Sequence, residues 1–269
     1  MADLSMLEAF SLSAGWQNRP VCQIEKLALS AGSCLVLAGP NGAGKSTIVK
    51  TLARQIEPVA GTVSLNGVNL KQWEVGPFAQ KVAYVPQSVE IYRQLTVEEW
   101  VSLGRNPHQP WWSWKSSQAD AEIIESAMAQ TGTSDLRNKF MDTLSGGQRQ
   151  RATVAMALAQ EPQFLLLDEP SAHLDFRHQL ELVELLIDLR KKGMALLIVL
   201  HDLNLIARLA TEVVLLKQAG DGIGKVAFAG PPEQVLQADI LREVYDVQVS
   251  ICKDEATGFT SYLPTRVWK

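Results

Sequence analysis

Nine consecutive residues carry the clearest chemistry: Gly39, Pro40, Asn41, Gly42, Ala43, Gly44, Lys45, Ser46 and Thr47. They follow the apolar run Cys34–Ala38 and lead into Ile48–Ala53. That order is strand, glycine-rich loop, helix, and it fits GxxxxGK[ST] in the setting the pattern needs. Glycines let the backbone curl so that successive N–H groups face inward and form a nest for an anion. The helix beginning near Lys45 adds the positive end of its dipole. Lys45 reaches the outer phosphates of a nucleotide, and the Ser46 hydroxyl is placed to hold Mg²⁺. A glycine-rich turn without a ligand has no need of strand, lysine and hydroxyl together. Such a loop says that a nucleotide phosphate binds; it does not say what the energy drives.

Further candidates stand just past predicted strands. Asp168 and Glu169 follow Phe164–Leu167. Asp168 is a hard carboxylate suited to a hard cation or its water. Glu169 can accept a proton from a water attacking the γ-phosphate. Neighbours on an extended segment point in different directions, so two roles are sterically reasonable. Gln87 follows the strand Lys81–Val85 and could bond Mg²⁺ or its water. His201 follows Ala195–Leu200 and could donate to the γ-phosphate. Ligands of α/β sheets bind at the carboxyl ends of strands, so a parallel sheet would gather these residues around the phosphate loop. Each has a plainer reading: a solvated acidic pair, a surface glutamine, a structural histidine. His108, His173 and His178 have no comparable placement.

Ser145-Gly146-Gly147-Gln148 is a second anion-binding candidate, with a hydroxyl, two glycine amides and a helix N-terminus. The chain already has a phosphate site. A second one is explained if it completes the site of another copy, with two subunits sandwiching nucleotide head to tail. The alternative is an ordinary N-cap.

These residues need elements to position them. The stretch to Ala38 reads as short strands: Leu7–Leu12, a turn at Ser13–Trp16, then Gln23–Leu29 and a turn at Ser30–Ser33. Thr62–Leu65 alternates and meets Asn66-Gly67, a hairpin signal. Thr96 with Glu99 is a capping box. Ile123, Ile124, Ala127 and Met128 share one helical face within Asp120–Gln130. Phe164–Leu167 and Ala195–Leu200 suit strands buried on both faces of a parallel sheet. Leu182, Leu185, Leu186 and Leu189 stripe a helix that stops at Gly193. Val213–Leu216 is a further strand, and beyond Gly220 two short strands flank Gly230 before a helix near Pro232–Leu236. The expected fold is α/β. A nucleotide-binding core with an antiparallel β-layer spans residues 1–87 and 159–269, and residues 88–158 form an inserted helical subdomain. Val249–Lys269 has no reading from its sequence.

Composition narrows the partners. The chain has 269 residues, 46% of them hydrophobic, enough for a substantial core. The formal net charge of −4 does not favour nucleic acid as the main partner. Met1–Ser5 lacks a basic start, and the longest apolar runs fall far short of a membrane span, so neither a signal peptide nor a membrane crossing is expected. Cys22, Cys34 and Cys252 lack metal-ligand spacing and fit a reduced, cytosolic protein.

Taken together, these motifs resemble the ATP-binding subunit of ABC transporters. The carriers are Gly39–Thr47, Gln87 of the Q-loop, the signature Leu144–Gln148, Leu165–Glu169 of Walker B, the D-loop Ser171–Asp175, and the switch histidine His201. The likeness covers nearly the whole chain. It implies a P-loop ATPase fold, ATP and Mg²⁺ as ligands, and Glu169, His201 and Gln87 in catalysis. Ser46, Gln87 and Asp168 would hold the metal, and Asp175 would lie at the nucleotide site. Trp16 falls where the family stacks an aromatic on adenine, which an aromatic face can do. His173 stands where relatives commonly carry a small residue. Gly104–His108, His178-Gln179 and His201–Asn204 resemble the branch that serves importers of ferric siderophores, haem and cobalamin, with zinc and manganese importers sharing part of the pattern. The expected partners are a second copy, integral membrane permease subunits and, through them, an extracytoplasmic substrate-binding protein. The expected location is the cytoplasmic side of the cell membrane. In the family, a permease helix enters a groove near the Q-loop, where Ile91 and Tyr92 would meet it. Trp111, Trp112 and Trp114 mark either a docking surface or local loop packing. The rivals are a soluble ABC ATPase of translation or DNA maintenance, which usually needs two cassettes or a coiled-coil insert, and a P-loop phosphotransferase, which needs no signature.

Overall fold

A computed structural model describes residues 5–88, 94–109, 117–172, 174–255 and 258–267. Ile91, Tyr92, Trp111, Trp112, Trp114 and His173 lie outside them.

Chain order begins with β1 (Met6–Trp16) and β2 (Arg19–Ser30), a long antiparallel pair. Ser13–Trp16 is therefore not a turn. The strand continues through it, with a bulge at Ala14/Gly15, and the reversal is made by Gln17 and Asn18, both at positive φ. Next come β3 (Cys34–Ala38), α1 (Lys45–Leu52) and the hairpin of β4 (Ala60–Leu65) and β5 (Val68–Asn69). Asn66 and Gly67 hold that hairpin's turn at φ 53° and 75°, the left-handed region such turns require. A short helix α2 (Val75–Ala79) precedes β6 (Val82–Val85). Three longer helices follow: α3 (Val97–Ser102), α4 (Gln118–Gln130) and α5 (Gly146–Ala159), each opened by a capping box. The rest is β7 (Phe164–Asp168), α6 (Phe176–Lys191), β8 (Ala195–Val199), α7 (Leu203–Leu209), β9 (Glu212–Gln218), β10 (Gly224–Gly230), α8 (Pro232–Val235), α9 (Ala238–Tyr245), β11 (Val247–Lys253) and β12 (Thr260–Val267). Two short strands around Gly230 do not form; one strand ends there and pairs with β9. Most of β11 and all of β12, which pair antiparallel, fall in the segment 249–269 that has no reading from its sequence.

Ten strands make one sheet, in the order β5-β4-β1-β2-β10-β9-β3-β8-β7-β6. The antiparallel layer and the parallel half are thus continuous, joined where β10 pairs with β2. The sheet curls around α1, and alternation along the parallel strands divides their side chains between two cores. Leu35, Leu37, Phe164, Leu166, Leu197 and Val199 face inward with Ile48, Val49 and Leu52 of α1. Val36, Leu165, Leu167, Leu196 and Ile198 face the helical layer of α3–α7. This double burial explains the unbroken apolar runs. Each fully buried leucine stabilises the fold by about 2 kcal/mol.

The segment Gly104–His108 is a structural joint. Gly104 lets the backbone approach α5, where a Cβ would lie 2.1 Å from the Met156 carbonyl. Arg105, buried, donates to Asp120 at 2.8 Å, to Glu161 at 2.8 Å and to the Ala159 carbonyl at 2.7 Å. A cation on the last carbonyls of α5 suits the helix dipole. The guanidinium holds the Asp120 carboxyl down to about 2. A carboxyl lowered on folding contributes stability that is present above its ordinary value near 4 and lost as pH falls towards 2. Asp120→Asn is therefore expected to cost about 3 kcal/mol at neutral pH. Its melting temperature should also fall less steeply than that of the wild type over the acid range, as thermal denaturation followed by circular dichroism will show.

Candidate functional site

The phosphate loop sits at the carboxyl end of β3, between β8 and β9. Glycine is required at its first position. Gly39 has φ 137°, and a Cβ there would lie 2.2 Å from the Leu216 carbonyl of β9. Gly44, at φ 88°, turns the chain into α1 and would collide with the Cys22 side chain if it carried one. Pro40, Asn41, Gly42 and Ala43 complete the curl, and Gln218 at the end of β9 donates to the Gly42 carbonyl at 3.2 Å. Gln218 escaped the sequence reading; its only signal was a polar residue closing an apolar strand.

Lys45 is 5% exposed and folds back over the loop, its ammonium donating to the Gly39 and Pro40 carbonyls at 2.8 Å. Burial pushes it below the ordinary lysine value, against the opposing pull of Glu169 and Asp168. Ser46 donates to Asp168 Oδ1 at 2.9 Å. Thr47 is buried and accepts, through its carbonyl, the Thr51 hydroxyl one turn on. Asp168 ends β7 at 2% exposure, and burial pushes its carboxyl up, with Glu169 adding to the rise and Ser46 opposing it. Ser46 and Asp168 supply two hard oxygen donors and an under-compensated buried charge, which fits a hard divalent cation. Among the described residues no group of three or more His, Cys, Asp or Glu is arranged to hold a metal ion by itself. A cation at this pair would therefore take its remaining ligands from phosphate and water.

Glu169 is set apart from Asp168 by its backbone. It has φ 49°, a left-handed conformation costing a non-glycine residue on the order of 1 kcal/mol. The turn aims its carboxylate at two donors from neighbouring strand ends. Gln87 Nε2 donates to Oε2 at 2.8 Å, and His201 Nε2 lies 2.7 Å from Oε1. Gln87 thus faces Glu169 rather than the Ser46–Asp168 pair. The structure brings β3, β6, β7 and β8 together with their carboxyl ends on one edge, because all four are parallel.

Trp16 ends β1, half exposed, with the Lys50 ammonium 5.8 Å from its ring centre. An exposed indole beside a cation offers a flat face to a base.

Ser145 and Gln148 close a capping box at the start of α5, the Ser145 hydroxyl accepting from the Gln148 N–H. Gly146 opens the helix. A Cβ on Gly147 would lie 3.3 Å from Leu174 and 3.5 Å from the His178 ring, so the signature packs on the segment after β7. Asp175 caps α6 and lies 2.8 Å from His178 Nδ1. The contacts of Ser145–Gln148 are internal: the Ser145 and Gln148 N–H groups are bonded within the capping box, and Gly147 is buried against Leu174 and His178.

The ABC transporter family matches residues 23–172. The chain is 36% identical over 263 residues to the ferric enterobactin transport ATP-binding protein FepC of Escherichia coli, covering 97% of this chain and 94% of that one. It is 38% identical over 256 residues to the iron(3+)-hydroxamate import ATP-binding protein FhuC of Bacillus subtilis, covering 95% and 93%. An ABC transporter solved in an inward-facing conformation superimposes with a TM-score of 0.82 at 24% identity, over 97% of this chain and 98% of its own. With the phosphate loop, the paired strand-end carboxylates and the curled sheet all in place, the chain belongs to the ABC transporter family as one of its ATP-binding subunits.

Proposed function

We propose that this chain hydrolyses ATP to power the import of a metal chelate, most closely a ferric siderophore or haem. The observation that carries the chemistry is Glu169, a carboxylate on a left-handed turn gripped by Gln87 and His201 at the mouth of the phosphate loop. In this reading the amides of Gly39–Thr47 and Lys45 bind the phosphates, and Lys45 exchanges two carbonyl acceptors for phosphate oxygens. Ser46 and Asp168 would hold Mg²⁺, which supplies charge neutralisation on the phosphates when bound. Glu169 takes the proton from the attacking water, and His201 orients and donates to the terminal phosphate. Gln87 holds Glu169 until nucleotide enters. The Ser145–Gln148 amides of a second copy close the site, and closure provides the differential binding that a coupled conformational change needs.

Residues 1–87 and 159–269 act as the nucleotide-binding core, and 88–158 as the helical subdomain carrying the signature. Among the described residues no helix is long and apolar enough to cross a membrane. In this reading the transport path belongs to permease subunits, with a substrate-binding protein delivering cargo to them. Support for the cargo comes from relatives named for ferric enterobactin and iron(3+)-hydroxamate. The test is reconstitution of the chain with its co-purifying membrane partners in liposomes. ATP-dependent uptake of a ferric siderophore or haem is expected, and uptake of free zinc or manganese instead would refute the chelate reading.

Trp16→Ala is expected to raise the dissociation constant for ATP about tenfold through lost stacking, and Trp16→Phe to raise it far less. Inorganic triphosphate, which has no base, should bind both variants like the wild type in a competition assay.

A further inference from the structure

The α9–β11–β12 unit at the end of the chain touches the nucleotide site from two sides. At one side the Tyr245 hydroxyl, at the end of α9, is buried near the start of the phosphate loop without a hydrogen-bond partner among the described residues. At the other, Asn204 grips β12. Its side-chain amide donates to the Tyr262 carbonyl at 3.2 Å, and its side-chain oxygen accepts from the Tyr262 N–H at 2.8 Å. Among the described residues the hairpin is two strands wide, and no strand pairs with the outer edge of β12. Asn204 occupies that edge as a neighbouring strand would, satisfying both polar groups of one residue. Between these contacts the hairpin is anchored by packing: Val249 and Tyr262 are buried in the main core, with Tyr245 and Val247 against it.

His201 lies within this span. Its chain leaves the sheet at Leu200, whose N–H donates to the Leu37 carbonyl, and enters α7 at Leu203. Asp202 caps α7 by accepting from the Asn204 and Leu205 N–H groups at 2.7 and 3.3 Å. His201 itself lines a cavity of about 540 Å³, with Asp202, Asn204, Tyr245, Val247 and Tyr262 among the other lining residues. The side of His201 that borders this cavity has no close packing there. The position of its ring rests on Glu169 in front and on the two ends of its loop.

We propose that the C-terminal hairpin positions His201 for ATP hydrolysis, acting through the double hydrogen bond of Asn204 to Tyr262. Asn204 is a positioning residue: its side chain bonds the Tyr262 backbone and fixes the loop end from which His201 projects. The inference rests on the ATPase reading above, and it gives residues 247–267 a task.

The test compares the full-length wild type with Asn204→Ala and with Asn204→Asp, which keeps the acceptor for the Tyr262 N–H and loses the donor. Steady-state hydrolysis, fluorescent-nucleotide binding and imidazole NMR of the nucleotide-free protein are measured. For Asn204→Ala, kcat is expected to fall three- to tenfold with the nucleotide Kd within twofold of wild type. The His201 resonance should shift or broaden while those of His108 and His178 hold. Asn204→Asp should lie between. An unchanged kcat, or equal losses in kcat and affinity, overturns the proposal, as does an unmoved His201 resonance. If Asn204→Ala does not fold, Asn204→Asp decides by the same criteria. A wild type without ATP turnover refutes the ATPase reading itself, and the NMR comparison then still decides whether Asn204 positions His201.

Discussion

Glu169→Gln is expected to lower ATP turnover by about 1,000-fold while leaving nucleotide affinity within a few-fold of wild type. The amide is isosteric and keeps an oxygen for the Gln87 donor at 2.8 Å. It cannot take a proton from water. In the proposed reading phosphate binding rests on the loop amides, Lys45 and the Ser46–Asp168 pair, none of which the substitution removes. A variant that binds ATP, closes on its second copy and does not reopen should therefore accumulate as a nucleotide-bound dimer. Single-turnover kinetics and size-exclusion chromatography with ATP will read both effects. Turnover at the wild-type rate would remove Glu169 from the role of base.

Lys45→Ala is expected to weaken ATP binding by about 100-fold, which corresponds to the loss of roughly 3 kcal/mol of charge-assisted hydrogen bonding. The lysine is buried at 5% exposure and its ammonium already lies over the loop, so little rotamer freedom is lost when phosphate replaces carbonyl oxygens. Its removal also leaves Asp168 and Glu169 less compensated towards incoming phosphates, with Lys50 the remaining cation near Asp168. Higher salt should narrow the gap between variant and wild type, because screening weakens that repulsion. Isothermal titration calorimetry at two ionic strengths will show it. Affinity preserved in Lys45→Ala would place the phosphates elsewhere.

Much of this arrangement was legible because its causes are local. A glycine-rich turn between a buried strand and a helix can be read from residue types alone, since φ at Gly39 and Gly44 excludes side chains. The apolar runs Phe164–Leu167 and Ala195–Leu200 reported burial on both faces, and the capping boxes at Thr96 and Ser145 reported helix starts. Ser13–Trp16 misled because its small residues resemble a turn, whereas a bulge lets β1 run through them to a reversal at Gln17 and Asn18. The end of the chain was opaque for a related reason. Val249–Val267 alternates weakly, and it is held as a hairpin by α9, the main core and one asparagine far off in sequence.

By itself, then, the sequence determined which residues stand at strand ends and helix starts, because strand, loop and helix preferences act over a few neighbours. Only the tertiary structure decided what those residues touch. The curl of the sheet joins β10 to β2 and wraps α1, and the parallel order of β6, β7, β8 and β3 brings Gln87, Glu169 and His201 to one carboxylate. Those contacts join residues 202 positions apart where Gly224 of β10 meets Cys22 of β2, and 82 and 32 apart at Glu169, and no local propensity specifies distances of that kind.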